Sequence, residues 1–195
     1  MINRLAKAVL LSLACVAVAA PVSAHTGHDS MFALRDGLLH PIHGLDHLLA
    51  MVAVGLLAWQ MGGRARFALP ATFVSVMAVG AAASANGLSI SMAGAELTIV
   101  ASVVVLGLAI ALRAQAPLAM ATTIVGAFAF MHGYAHGAEI PAGAGFAGYA
   151  LGFVTGTAVL HAAGLGLGWQ LARSATAVRV LGALIALAGV GLAAA

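Results

Sequence analysis

Residues 39–61 read LHPIHGLDHLLAMVAVGLLAWQM, and the medium that houses this stretch decides the fold. Its second half is apolar, while its head carries three histidines and an aspartate. A helix needs about 17 to 25 residues to cross the hydrocarbon core, where it satisfies its own backbone groups without water. Leu39 to Met61 has that length, and so do the apolar stretches that follow: Phe67 to Ala85, Glu96 to Leu112, Pro117 to Ala138, Phe146 to Leu171, and Ala177 to the C-terminus. The fold expected is all-α, a polytopic membrane protein with about six transmembrane helices.

Composition points the same way. Of 195 residues 63% are hydrophobic and 7% charged, and the mean hydropathy is +1.10. Soluble domains carry about 25% charged residues, so the bilayer is the natural solvent for this chain. The formal charge of +3 does not indicate nucleic acid. Two of the eight basic residues, Arg4 and Lys7, fall in a targeting segment, and the remaining six nearly balance the five acidic ones.

That segment is residues 1–24: a basic start, an apolar run from Ala8 to Ala20, then PVSA with small residues placed for signal-peptidase cleavage. The run is short for a membrane span, so cleavage before His25 is favoured over a retained anchor. Cys15 is the single cysteine and lies inside this segment, with Ser12 where a lipoprotein signal usually has Leu. A mature chain, residues 25–195, then has no thiolate for disulfides or metal.

Arginines set the orientation. Arg64 and Arg66 follow the first span, Arg113 the third, and Arg173 and Arg179 the fifth, while the loops after the second and fourth spans have no Lys or Arg. The positive-inside rule makes the arginine side cytoplasmic, with Arg35 as the one exception. The mature N-terminus is then periplasmic in a bacterial inner (cytoplasmic) membrane, in agreement with an exporting signal. Small residues at four-residue spacing, Gly133 with Gly137 and Gly148 with Gly152 and Gly156, read as close helix contacts, since packing rather than hydrophobicity joins helices in lipid.

Two polar clusters interrupt the apolar pattern. If residues 40–47 are helical, His40, His43 and His47 fall within about 60 degrees of arc, with Pro41 in the first helical turn. Asp46 is then either a ligand or a partner that fixes an imidazole tautomer. In the second cluster, MHGYAHGAE from Met131 to Glu139, His132, His136 and Glu139 share one helical stripe. Both clusters fall on the outer side, and two stripes at one level can meet. Imidazole with carboxylate suits divalent Ni²⁺, Co²⁺, Zn²⁺ or Cu²⁺, whereas Mg²⁺ and Ca²⁺ want mostly oxygen and Cu⁺ wants sulfur. A polar or charged group in a membrane costs on the order of 2.5 to 3.5 kcal/mol, and folding alone does not call for so many.

Four further residues are weaker candidates. Glu96 opens the third span and is a ligand or a helix-start carboxylate favoured by the dipole. His161 lies roughly 22 Å along the fifth span, in the inner half of the membrane, as a pathway residue or a satisfied core histidine. His25 and His28 belong to an outer tail that either collects metal or is merely solvated. The methionines, Met51, Met77, Met92, Met120 and Met131, read as packing.

The paired motifs resemble those of the HupE/UreJ family of nickel and cobalt permeases. His40, Asp46 and His47 match its His, five residues, Asp-His signature. His132, Gly133, Ala135, His136, Gly137 and Glu139 match its second, with Met131 where the family usually has Phe. The resemblance covers essentially the whole mature chain. It implies uptake of Ni²⁺ or Co²⁺ from the periplasm, supplying hydrogenase, urease or cobalamin pathways; from the residues alone the reading is a transition-metal transporter, with Zn²⁺ also open.

The mechanism expected is that His40, His43, Asp46 and His47 face His132, His136 and Glu139, hold the ion, and pass it inward past His161. Neutral imidazole binds metal, so uptake should fall as pH drops below about 6. No prosthetic cofactor is called for, and homo-oligomers remain open. A membrane-embedded zinc-dependent hydrolase is the alternative, weakened by the lack of an H-E-x-x-H motif. A metal sensor or delivery partner is disfavoured by short cytoplasmic loops.

Overall fold

The computed structural model describes residues 30–139 and 146–195, with side chains from 33 to 138 and from 147 onward. The segment expected as a leader (1–24) and His25 and His28 lie outside the described residues. Seven helices and no strand make up what is described: α1 Ser30–His43, α2 Leu45–Met61, α3 Ala65–Ala85, α4 Met92–Ala111, α5 Leu118–Glu139, α6 Phe146–Leu171 and α7 Ala175–Ala193.

Helices α3 to α7 are each long and apolar enough to cross a membrane. Their outer surfaces are apolar too: Phe67, Leu97, Leu151, Trp169 and Leu187 are all exposed. A bundle that shows large apolar side chains all round is built for lipid. Hydroxyls obey the same demand by bonding back to their own helix, as Thr155 Oγ1 does to the Leu151 carbonyl at 2.7 Å and Ser102 Oγ to that of Ile99 at 2.6 Å.

The first span departs from expectation. Instead of one rod from Leu39 to Met61, the chain forms two helices bent by 83° at Gly44, a broken span or a re-entrant loop. Pro41 stands near the end of α1 rather than in a first turn. It has no N–H for the helix, and its ring crowds the preceding turn. Three residues later Gly44 turns extended, with φ −96° and ψ 117°. Asp46 then restarts the helix: its Oδ1 accepts the His47 N–H at 2.8 Å, and its charge lies at the positive end of α2.

α2 is the centre of the bundle, with Ala50, Met51, Ala53, Val54, Gly55, Leu56, Leu57 and Ala58 buried. It packs against α6, α4 and α3, and the other strong pairings are α3 with α5, α4 with α7 and α1 with α6. These contacts approach to backbone distance. A Cβ at Gly55 would meet the His161 carbonyl and one at Gly164 the Val52 carbonyl; likewise Gly80 faces Phe130, and Gly133 faces Met77. Gly152 and Gly156 serve α6 against Leu34 and Leu38 of α1, so the small-residue reading holds for these two and for Gly133 and Gly137.

Candidate metal site

Four imidazoles from three helices meet where α1 ends, α2 begins and α5 passes. His136 is the hub: its ring centre lies 4.6 Å from that of His40 and 4.4 Å from that of His47, and His47 lies 5.0 Å from His132. Phe73 of α3 closes one side, 5.2 Å from His132. Phe153 and Tyr149 of α6 close another, at 4.3 Å from His136 and 5.6 Å from His40. His132 and His136 are buried, at 0% and 3% exposure, whereas His40 and His47 are half-buried.

The break at Gly44 assembles this group. On a straight helix His40, His43 and His47 would form one stripe; across an 83° corner, His40 and His47 come from separate helices and converge on His136 from two directions. His43 does not join them, since it ends α1 on an exposed face. The three-histidine stripe is thus corrected to two, because Gly44 abandons the helical conformation before His47.

Hydrogen bonding fixes the tautomers. The His47 Nδ1–H donates to Asp46 Oδ1 at 2.8 Å, and the His132 Nδ1–H donates to the Phe128 carbonyl at 2.9 Å. A carboxylate and a carbonyl can only accept, so in both rings the proton sits on Nδ1 and the lone pair on Nε2. Both Nε2 atoms are buried without a hydrogen-bond partner among the described residues. Asp46 thereby acts as the partner that orients an imidazole, which is how carboxylates commonly support metal-binding histidines. His161 has the same arrangement one helical turn beyond His47, its Nδ1–H donating to the Met51 carbonyl at 2.8 Å. That contact places His161 against the second turn of α2, because the first turns of α6 are spent on α1.

Among the described residues no three acidic or imidazole groups already stand in the geometry of a bound ion; the rings are packed edge to face or tilted. Glu139 is the last residue of α5, and its side chain lies outside the described residues. Glu96 is exposed on α4. The α4 helix begins at Met92, capped by Ser91 Oγ accepting from the Gly94 N–H at 3.4 Å, so Glu96 falls beyond the first turn and does not open the helix.

The aromatic wall of Phe73, Tyr149 and Phe153 was not read from the sequence. Nothing in their spacing distinguishes them from packing residues in an apolar span. Tyr134 was missed likewise: its hydroxyl accepts from the Ile90 N–H at 2.7 Å and donates to the Ile90 carbonyl at 2.9 Å, pinning the approach to α4 onto α5.

Fold and site together define a multi-pass helical membrane protein with a cluster of imidazoles sunk between its helices. The chain belongs to the HupE/UreJ family: the family model described as HupE / UreJ protein matches residues 13–192. Protein HupE of Rhizobium leguminosarum bv. viciae is 39% identical over 183 residues, which cover 93% of this chain and 94% of that one. No solved structure matches the chain. Family membership carries metal transport at the level of the family.

Proposed function

We propose that this chain imports Ni²⁺ or Co²⁺ across the bacterial inner membrane, from periplasm to cytoplasm, and that the ion first binds at His40, His47, His132 and His136, with Asp46 holding His47 and Glu139 as a further ligand. The observation that carries this is the convergence of four imidazoles from three helices, two with buried Nε2 atoms unmatched among the described residues. An ion bound by two imidazoles at about 2.1 Å holds their ring centres roughly 4.5 to 5.5 Å apart. The observed 4.4 to 5.0 Å lies close to that range.

The orientation of the site is read from charge. The cluster lies at the α1–α2 corner and in the last turns of α5, whereas Arg64, Arg66, Arg113, Arg173 and Arg179 border the opposite helix ends. The positive-inside rule assigns the cluster to the periplasmic side, and the leader of residues 1–24 to cleavage during export.

The test is uptake of radiolabelled Ni²⁺, with Co²⁺ and Zn²⁺ as competitors, in cells whose only permease is this chain. His47→Ala removes a ligand and leaves the α2 helix its Asp46; uptake is expected to fall by about 100-fold or more, as strong as or stronger than losses from outer partners of metal ligands. Wild-type uptake by a normally inserted variant would overturn the site. Metal binding without movement across liposomes, combined with hydrolase activity, would instead establish the zinc-enzyme reading.

A further inference from the structure

Beside the cluster lies a fifth imidazole that the entry site does not use. His161 of α6 is 1% exposed, its Nδ1–H is committed to the Met51 carbonyl, and its Nε2 is buried with no hydrogen-bond partner among the described residues. A buried nitrogen lone pair left unmatched costs about 1 to 3 kcal/mol, and a merely structural histidine has no reason to carry that loss. Its ring stands 5.0 Å from Phe73, edge to face, and Phe73 stands 5.2 Å from His132. One phenyl ring therefore separates two imidazoles that have the same tautomer and the same unmatched Nε2.

Two further donor side chains stand a turn away along α6 and α3. Thr157 lies one turn earlier on α6, and Met77 one turn after Phe73 on α3; the pair is in contact, with the Thr157 hydroxyl 3.9 Å from the Met77 sulfur. Both are fully buried, at 0% and 1% exposure. A hydroxyl beside a thioether in an apolar core gains little as packing, since the hydroxyl finds only a weak acceptor there. Together with an imidazole they form a nitrogen, oxygen and sulfur set that a borderline divalent ion accepts loosely.

We propose that His161 is the principal ligand of a second, weaker metal station, supplemented by Thr157 and Met77 and divided from the entry cluster by Phe73. Weakness suits the role, because an ion in transit must be able to leave. The inference rests on the entry-site reading only for the order in which the stations are visited.

The discriminating variant is His161→Asn. The Asn amide nitrogen reaches the position of Nδ1 and keeps the bond to Met51, while nothing replaces Nε2. The full chain, purified in lipid nanodiscs, is dialysed to equilibrium against Co²⁺, and Co²⁺ entry is measured in proteoliposomes. Wild type should bind two ions with distinct affinities. His161→Asn should keep the tighter and lose the weaker, with entry reduced at least about tenfold, and Met77→Leu should weaken only the second site. His47→Ala should do the reverse, losing the tighter ion and keeping the weaker. A single ion on wild type, or two ions and normal entry with His161→Asn, would overturn the second station. If His47→Ala leaves both ions bound while His161→Asn removes one, the entry assignment fails and the inner station stands.

Discussion

Helix α5 shows two unlike faces within one short motif. Toward α3 it presents Gly133 and Gly137, which lie so close to Met77 and Ala81 that an added Cβ would strike backbone. Toward α1 and α2 it presents His132 and His136, whose rings touch other rings across gaps of 4.4 to 5.0 Å. Each glycine follows its histidine by one residue, and one residue turns the helix by about 100 degrees, so the alternation of His and Gly produces two adjacent faces. One face is locked against carbonyls and cannot slide. The other is lined by imidazole side chains packed against other rings. If the proposed site binds its ion there, the glycine face supplies the fixed support that a set of ligands needs.

The sharpest way to break this contrast is to convert the locked face into a bulky one. Gly133→Leu places a branched side chain against the Met77 carbonyl, where there is no space even for a methyl group. Overpacking typically costs about 1 to 3 kcal/mol where side chains can move, and backbone on both sides cannot. The expected outcome is loss of folded protein, seen as absence of a monodisperse peak in detergent, together with loss of uptake. A normally folded and active Gly133→Leu chain would show that the α3–α5 contact is not the rigid support.

A smaller effect tests the imidazole face. Asp46→Asn keeps the shape of the side chain but replaces an obligate acceptor with a group that can also donate to His47 Nδ1, so the His47 lone pair is no longer confined to Nε2. Uptake should fall roughly 10- to 100-fold with little change in folded yield, since the helix keeps a capping oxygen near the His47 N–H. If uptake falls no more than twofold, Asp46 is only the start of a helix.

Most of this organisation could be read from residue order, and the exceptions have physical causes. The span positions follow from apolar length, and the meeting of the two histidine motifs follows from their placement at matching ends of α2 and α5. The bend did not follow: a Pro and a Gly three residues apart mark a weak point in a helix, but they do not set the 83° angle, and α1 is packed against Gly152 and Gly156 of α6. For the same reason His43, expected on one stripe with His40 and His47, ends α1 on an exposed face apart from the imidazole cluster. Helical rise measures distance along α6 only, and it is the contact with Met51 that shows which turn of α2 His161 meets. Phe73 is invisible to any motif, because its importance lies in having an imidazole on either side.

The finest resolution of the contrast comes from two glycines on α6 separated by one residue. Gly164 faces the Val52 carbonyl and the Gly55 Cα of α2, with no room for a Cβ, whereas an added Cβ at Gly166 would meet nothing within 4 Å. Both sit inside the same helix, so the intrinsic gain of alanine over glycine, about 1 kcal/mol, is common to the two. Gly164→Ala must add the cost of pushing α6 away from α2, which also strains the His161–Met51 bond one turn earlier. Gly166→Ala should therefore raise the thermal midpoint slightly or leave it unchanged, with uptake intact, while Gly164→Ala lowers both. Equal behaviour of the two variants, measured by thermal denaturation in the same detergent, would mean that the α2–α6 contact is looser than backbone distance and that close packing does not hold His161 in place.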